Sequence, residues 1–171
     1  MGSTNTIREI MKLAATNRKD ITSKPGAIFE YAELENAAKW AHYGTMANQG
    51  QICTATSRVL VQDKIYKQFI DLFVYQVKNF SKIGHPLAQG TFQGPQISRA
   101  QYDRVLSYFE EGATVGFGGK PHLGVNGKGF FIEPTVFTSV KDHMKLSGEK
   151  VFGPLVAISS FSAEDEAKYR R

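Results

Sequence analysis

The residue in this sequence best suited to covalent chemistry is Cys53, the single cysteine among 171 residues. It sits in residues 48–58, NQGQICTATSR, a Gly- and Gln-containing stretch between a predicted helix and a predicted strand. A thiol in such a loop can be partly exposed, and neighbouring backbone N–H groups favour the thiolate, the form that attacks electrophilic carbon. The competing description is an inert, packed thiol, because free cysteine is among the most buried residue types. One cysteine excludes an internal disulfide framework and a cysteine-cluster metal site. His42, His85, His122 and His143 lie at spacings that fit no metal site on one helix and read as solvated or hydrogen-bonded side chains.

Other short patterns carry little. Gly116, Gly118 and Gly119 imitate a phosphate-binding loop, but they follow a helix and a strand in the wrong order and lack the third glycine, so they read as turn glycines. Gly2 with Thr6 satisfies the myristoylation pattern and residues 79–81 the glycosylation pattern, and both are short enough to arise by chance.

The elements that must position the thiol follow from hydrophobic spacing. Residues 6–18 read as an amphipathic helix through Ile7, Ile10, Met11 and Ala14, and residues 33–43 as a second through Leu34, Ala37, Ala38 and Ala41. Residues 27–31 and 58–62 are strand candidates, the latter followed by a strong helix over 63–80 with Ile65, Phe69, Leu72, Phe73, Val77 and Phe80 on one face. A helix opened by Ser98 buries Tyr102, Val105, Leu106 and Phe109 and ends at Gly112. Residues 113–117, 130–137 and 155–161 are further strands, Asn126-Gly127 marks a turn, and Ser162 with Glu164 and Asp165 opens a final helix. The alternation of strand and helix predicts an α/β fold, a single domain with a mostly parallel sheet flanked by helices.

Composition agrees with a globular chain: 42% hydrophobic and 22% charged residues allow one real core. The net charge of +5 comes from basic residues that are scattered rather than blocked and accompany no nucleic-acid motif, so no nucleic-acid partner is expected. No apolar run approaches the length needed to span a bilayer, and the polar start MGSTNTIREIMK has no signal-peptide core; no membrane is expected, and the cytoplasm is the default compartment.

Four separate motifs, residues 48–58, 93–96 (QGPQ), 129–135 (GFFIEPT) and 149–154 (EKVFGP), resemble in order and spacing the NAD(P)-dependent aldehyde dehydrogenase superfamily, its fungal members especially. Gly2-Ser3-Thr4 is similar to the helix start at that family's nicotinamide-nucleotide site, so the likeness runs over nearly the whole chain. The resemblance implies that Cys53 attacks an aldehyde carbonyl to form a thiohemiacetal and that Phe152 touches the nicotinamide. It also implies a division of the chain: residues 1–26 as a remnant of the cofactor domain, residues 27–171 as catalytic-domain-like.

The departures from the family pattern set the functional expectation. The family's long N-terminal part, with most of its dinucleotide domain, has no counterpart here, and an open α/β sheet cannot build a nucleotide crevice from one helix. The strand ending in the general-base glutamate is missing between Asp20-Ile21-Thr22 and Ser23-Lys24-Pro25-Gly26. Lys150 replaces the glutamate that binds the nicotinamide ribose, and an ammonium cannot accept those hydroxyl hydrogen bonds. Ile7 stands where a glycine lets the pyrophosphate approach, and the closing segments with the subunit-bridging tail are absent.

Losing the positioning of a nicotinamide forfeits roughly 7 to 11 kcal/mol of barrier lowering. The expectation is therefore a repurposed, cofactor-independent, non-redox enzyme acting on a small carbonyl or conjugated substrate, of a kind suited to fungal secondary metabolism. If the family fold holds, Cys53 and Lys150 face one another, with Tyr43, Asn48, Gln51 and Phe152 as substrate-binding neighbours. Lys150 then polarises a carbonyl or acts as an amine, or is a solvated lysine at a strand start. Two alternatives stand beside this one: a non-catalytic binding or scaffold module, and an aldehyde oxidoreductase that works only with a complementing subunit. Exposed apolar surface predicts a homo-oligomer.

Overall fold

The computed structural model describes residues 26–110, 113–125 and 127–170. The helix expected over 6–18 and the Gly2-Ser3-Thr4 motif lie outside the described residues. Five strands form one sheet: β1 (Gly26–Ile28), β2 (Arg58–Gln62), β3 (Thr114–Phe117), β4 (Thr135–Thr138) and β5 (Leu155–Phe161), in the order β1-β2-β5-β4-β3. The pairs β1–β2, β2–β5 and β5–β4 are parallel, with Ala27 opposite Leu60, Val59 opposite Ile158 and Val136 opposite Val156. Only β3 runs antiparallel, at the edge beside β4. The α/β class and the mostly parallel sheet are as the sequence predicts.

Both faces of the sheet are covered, which parallel strands require because their crossovers bring helices to each side. One face is Ile28, Val59, Val61, Val136, Val156 and Ile158, packed under α1 (Leu34–Met46) and α2 (Tyr66–Phe80) through Ala37, Ala38, Met46, Phe69, Phe73 and Val77. The opposite face places Phe137, Leu155 and Ala157 against Val105 of α3 (Arg99–Ser107) and Leu146 of α4 (Lys145–Gly148). Leu60 and Phe161, beside them, cover Ala167 of α5 (Glu164–Tyr169). Neighbouring residues of β2, β4 and β5 thus serve alternate faces, as the two-residue period of a strand dictates.

Several boundaries differ from the sequence reading, for local reasons. The strand expected over 130–137 is confined to Thr135–Thr138, because Pro134 has no N–H to give a ladder and Gly129 turns the chain at φ 101°. Residues 63–65 form a 3-10 turn ahead of α2 rather than its first turn, and α1 runs three residues past Tyr43. Ala163 rather than Ser162 caps α5, and the short α4 carries too few residues to show a period. Gly118 and Gly119, with φ of 74° and 92°, are the turn glycines expected after β3.

Candidate functional site

The thiol loop begins where α1 ends. Glu33 starts that helix by accepting the Asn36 N–H at 3.0 Å, and Asn48, Gln49 and Gly50 end it with three consecutive left-handed conformations, φ 49°, 57° and 68°. Asn and Gly adopt this region readily, whereas Gln49 is strained there. The reversal sends the chain across the end of β5, so close that a Cβ on Gly50 would lie 1.9 Å from the Gly153 carbonyl oxygen. The absence of a side chain at position 50 lets the thiol loop touch the 149–154 segment backbone to backbone.

The loop is then closed on itself. Asn48 donates from Nδ2 to the Gln51 carbonyl at 3.1 Å, and its own carbonyl accepts the Gln51 N–H at 3.0 Å. Farther on, Thr45 Oγ1 donates to the Thr56 carbonyl at 2.9 Å while the Thr56 N–H donates to the Gly44 carbonyl at 3.0 Å. The loop is thus closed on itself at its start and tied to α1 at Thr56, and Cys53 stands exposed at its crest. The packed thiol that composition suggests is not what the fold builds.

Lys150 reaches this crest from the other segment. Its ammonium donates to the Cys53 carbonyl at 2.9 Å and to the Ala55 carbonyl at 3.1 Å, and lies 5.9 Å from the centre of the Phe152 ring. Burial pushes the Lys150 pKa down, the thiolate charge of Cys53 raises it, and the Arg58 guanidinium lowers it again. Phe152 sits at φ 58°, a strained conformation for a bulky residue, held by Gln101, whose Nε2 donates to its carbonyl at 2.8 Å.

Of the residues singled out in the sequence, Cys53, Lys150 and Phe152 come together. Asn48 and Gln51 shape the loop: Gln51 Oε1 accepts the Ile97 N–H at 3.1 Å, which ties its amide oxygen to a neighbouring segment. Tyr43 lies on the exposed flank of α1, 6.3 Å from the Phe92 ring, and both Phe92 and Asn48 border a groove of about 480 Å³ beside the loop. Sequence reasoning missed Gln101, Gly50 with Gly153, and the carbonyl of Ala55. Only the glycines left a signal, as small residues where two motifs meet.

At the position that the resemblance assigns to the nicotinamide ribose, Lys150 does not fit that group. A ribose there needs an acceptor, and the group at position 150 is an ammonium already bound to two carbonyls of the thiol loop. Among the described residues, no group of three His, Cys, Asp or Glu could hold a metal, and no helix is long and apolar enough to cross a membrane.

A mostly parallel α/β sheet with an exposed cysteine on a helix-to-strand loop defines the class, a thiol-bearing α/β protein. The profile of the aldehyde dehydrogenase family matches residues 1–170, and the chain belongs to that family. An aldehyde dehydrogenase of Emericella nidulans is 43% identical over 97% of this chain and 35% of its own length. The peroxisomal aminoaldehyde dehydrogenase 2 of Pisum sativum is 40% identical over 97% of this chain and 34% of that protein. The NAD+ complex of the Bacillus cereus aldehyde dehydrogenase superposes with a TM-score of 0.81 at 40% identity, covering 87% of this chain and 30% of that one. The chain thus spans about a third of the length of these relatives.

Proposed function

We propose that Cys53 is the nucleophile of a non-redox reaction on a small carbonyl or conjugated compound, without a nicotinamide. The observation that carries the reading is the clamp: Lys150 holds the crest of the thiol loop by the carbonyls of Cys53 and Ala55, in the place where the family pattern holds a ribose. In the addition, the thiolate electron pair forms a C–S bond to the carbonyl carbon. The C=O π pair moves to oxygen, and that oxygen takes a proton to give a hemithioacetal. An ammonium has three donors and two are in use, which leaves one to polarise the substrate oxygen. That engagement favours the polarising role of Lys150 over an amine role. With a conjugated substrate the thiolate adds at the β carbon and the proton goes to the α carbon.

The residues from 27 onward are read as catalytic-domain-like, acting in the cytoplasm as a self-associating chain on small-molecule substrates. A second reading, NAD(P)-dependent aldehyde oxidation with a complementing subunit, is favoured by the identity to fungal aldehyde dehydrogenases. Exposing the chain to a small conjugated aldehyde and weighing it intact tests the nucleophile. One adduct is expected on the unaltered chain and none on Cys53→Ala; equal labelling of both removes Cys53 from the role.

A further inference from the structure

The charges around the thiol point to a class of substrate. The partners of the Lys150 ammonium, the carbonyls of Cys53 and Ala55 and the ring of Phe152, are all uncharged. Glu149, next to Lys150 in the chain, is turned to Tyr108, whose hydroxyl donates to it at 2.6 Å. Lys150 therefore brings a positive charge to the loop that carries the exposed thiol, and the ammonium keeps one donor unspent.

We infer that Lys150 makes this site selective for small electrophiles that carry a negative charge, the substrate class being an oxo acid whose carboxylate is drawn to the Lys150 charge while its carbonyl oxygen takes the remaining donor. The inference rests on the reading of Cys53 as the nucleophile. The oxo acid's carbonyl carbon gains the bond to sulfur, its carbonyl oxygen takes a proton, and its carboxylate is unchanged. A carboxylate brought beside an ammonium in a partly desolvated site is held more strongly than it is in water. An uncharged aldehyde of equal size gains nothing from it.

Iodoacetate and iodoacetamide separate charge from size. Both alkylate a thiolate, the sulfur pair forming C–S as iodide leaves with its own pair, and they differ in one negative charge. The rate of Cys53 alkylation by each is read from the intact mass of the full chain, with mercaptoethanol as the reference thiol. The expected iodoacetate-to-iodoacetamide rate ratio is about 5-fold above the reference at low salt, falling toward it near about 0.5 M salt. Lys150→Arg keeps the preference and Lys150→Met loses it. Because Lys150→Met also removes the clamp, the salt series on the unaltered chain stands as the independent readout. A ratio equal to the reference at low salt overturns the selectivity while leaving the nucleophile in place. Failure of both reagents to label Cys53 overturns the nucleophile itself.

Discussion

At position 150 a carboxylate would face the carbonyl oxygens of Cys53 and Ala55 and repel both, whereas the ammonium donates to each, at 2.9 and 3.1 Å. Lys150 therefore acts on the thiol as a positioning residue first: it fixes the turn that presents Cys53. A charge-assisted hydrogen bond contributes about 1.5–3 kcal/mol, less where the group is half-exposed to water as here. Lys150→Glu is expected to release the 51–55 turn, seen as faster amide exchange confined to those residues, with the sheet unaffected. Unchanged exchange there would show that the two bonds hold nothing. The residue types of the site were legible in the sequence, since the family pattern singled out Cys53, Lys150 and Phe152. The bonding was not, because the partners of Lys150 are backbone carbonyls 97 and 95 residues away, which no side-chain pattern encodes.

At the scale of elements, the site depends on how α1 ends. A left-handed run of Asn48, Gln49 and Gly50 turns the chain so that Gly50 rests on Gly153, where any side chain would collide with backbone. Gly50→Ala combines a positive φ with that collision. It is expected to destabilise the chain by about 1–3 kcal/mol and to abolish addition at Cys53 by lifting the loop from the 149–154 segment. Thermal melts and adduct mass measure the two effects, and full addition by a stable Gly50→Ala chain would show that the contact is dispensable. The strands β2 and β5 and the helix α2 were readable because burial on one or both faces imposes a regular pattern on 5, 7 and 15 residues. The edge elements were less so: β3 is exposed along most of its length, and Pro134 interrupts the apolar run before β4, so periodicity overstated one strand and left α4 unseen.

Across the whole molecule, a sheet buried on both faces holds α1, and through it the thiol loop. The α1 packing includes a buried histidine. His42 shares a 2.7 Å hydrogen bond with Ser81 and stacks 5.2 Å from Phe92, and desolvation lowers its pKa to about 4. The folded chain therefore keeps His42 neutral, while the unfolded chain protonates it near pH 6.5. Stability is full above about pH 6.5 and is lost as pH falls toward 4, by up to about 3 kcal/mol from this group. His42→Gln keeps a polar partner for Ser81 and is expected to flatten that loss in melts taken from pH 7 down to about 4; an unchanged slope would assign the acid sensitivity to other groups. The reading of the site as a cofactor-free thiol is tested most directly by carbon-13 NMR of labelled acetaldehyde mixed with the chain, with and without NAD+. A hemithioacetal carbon signal is expected that disappears in Cys53→Ala, is indifferent to NAD+, and is accompanied by no NADH. Formation of NADH that depends on Cys53, or a spectrum without the adduct carbon, would contradict it.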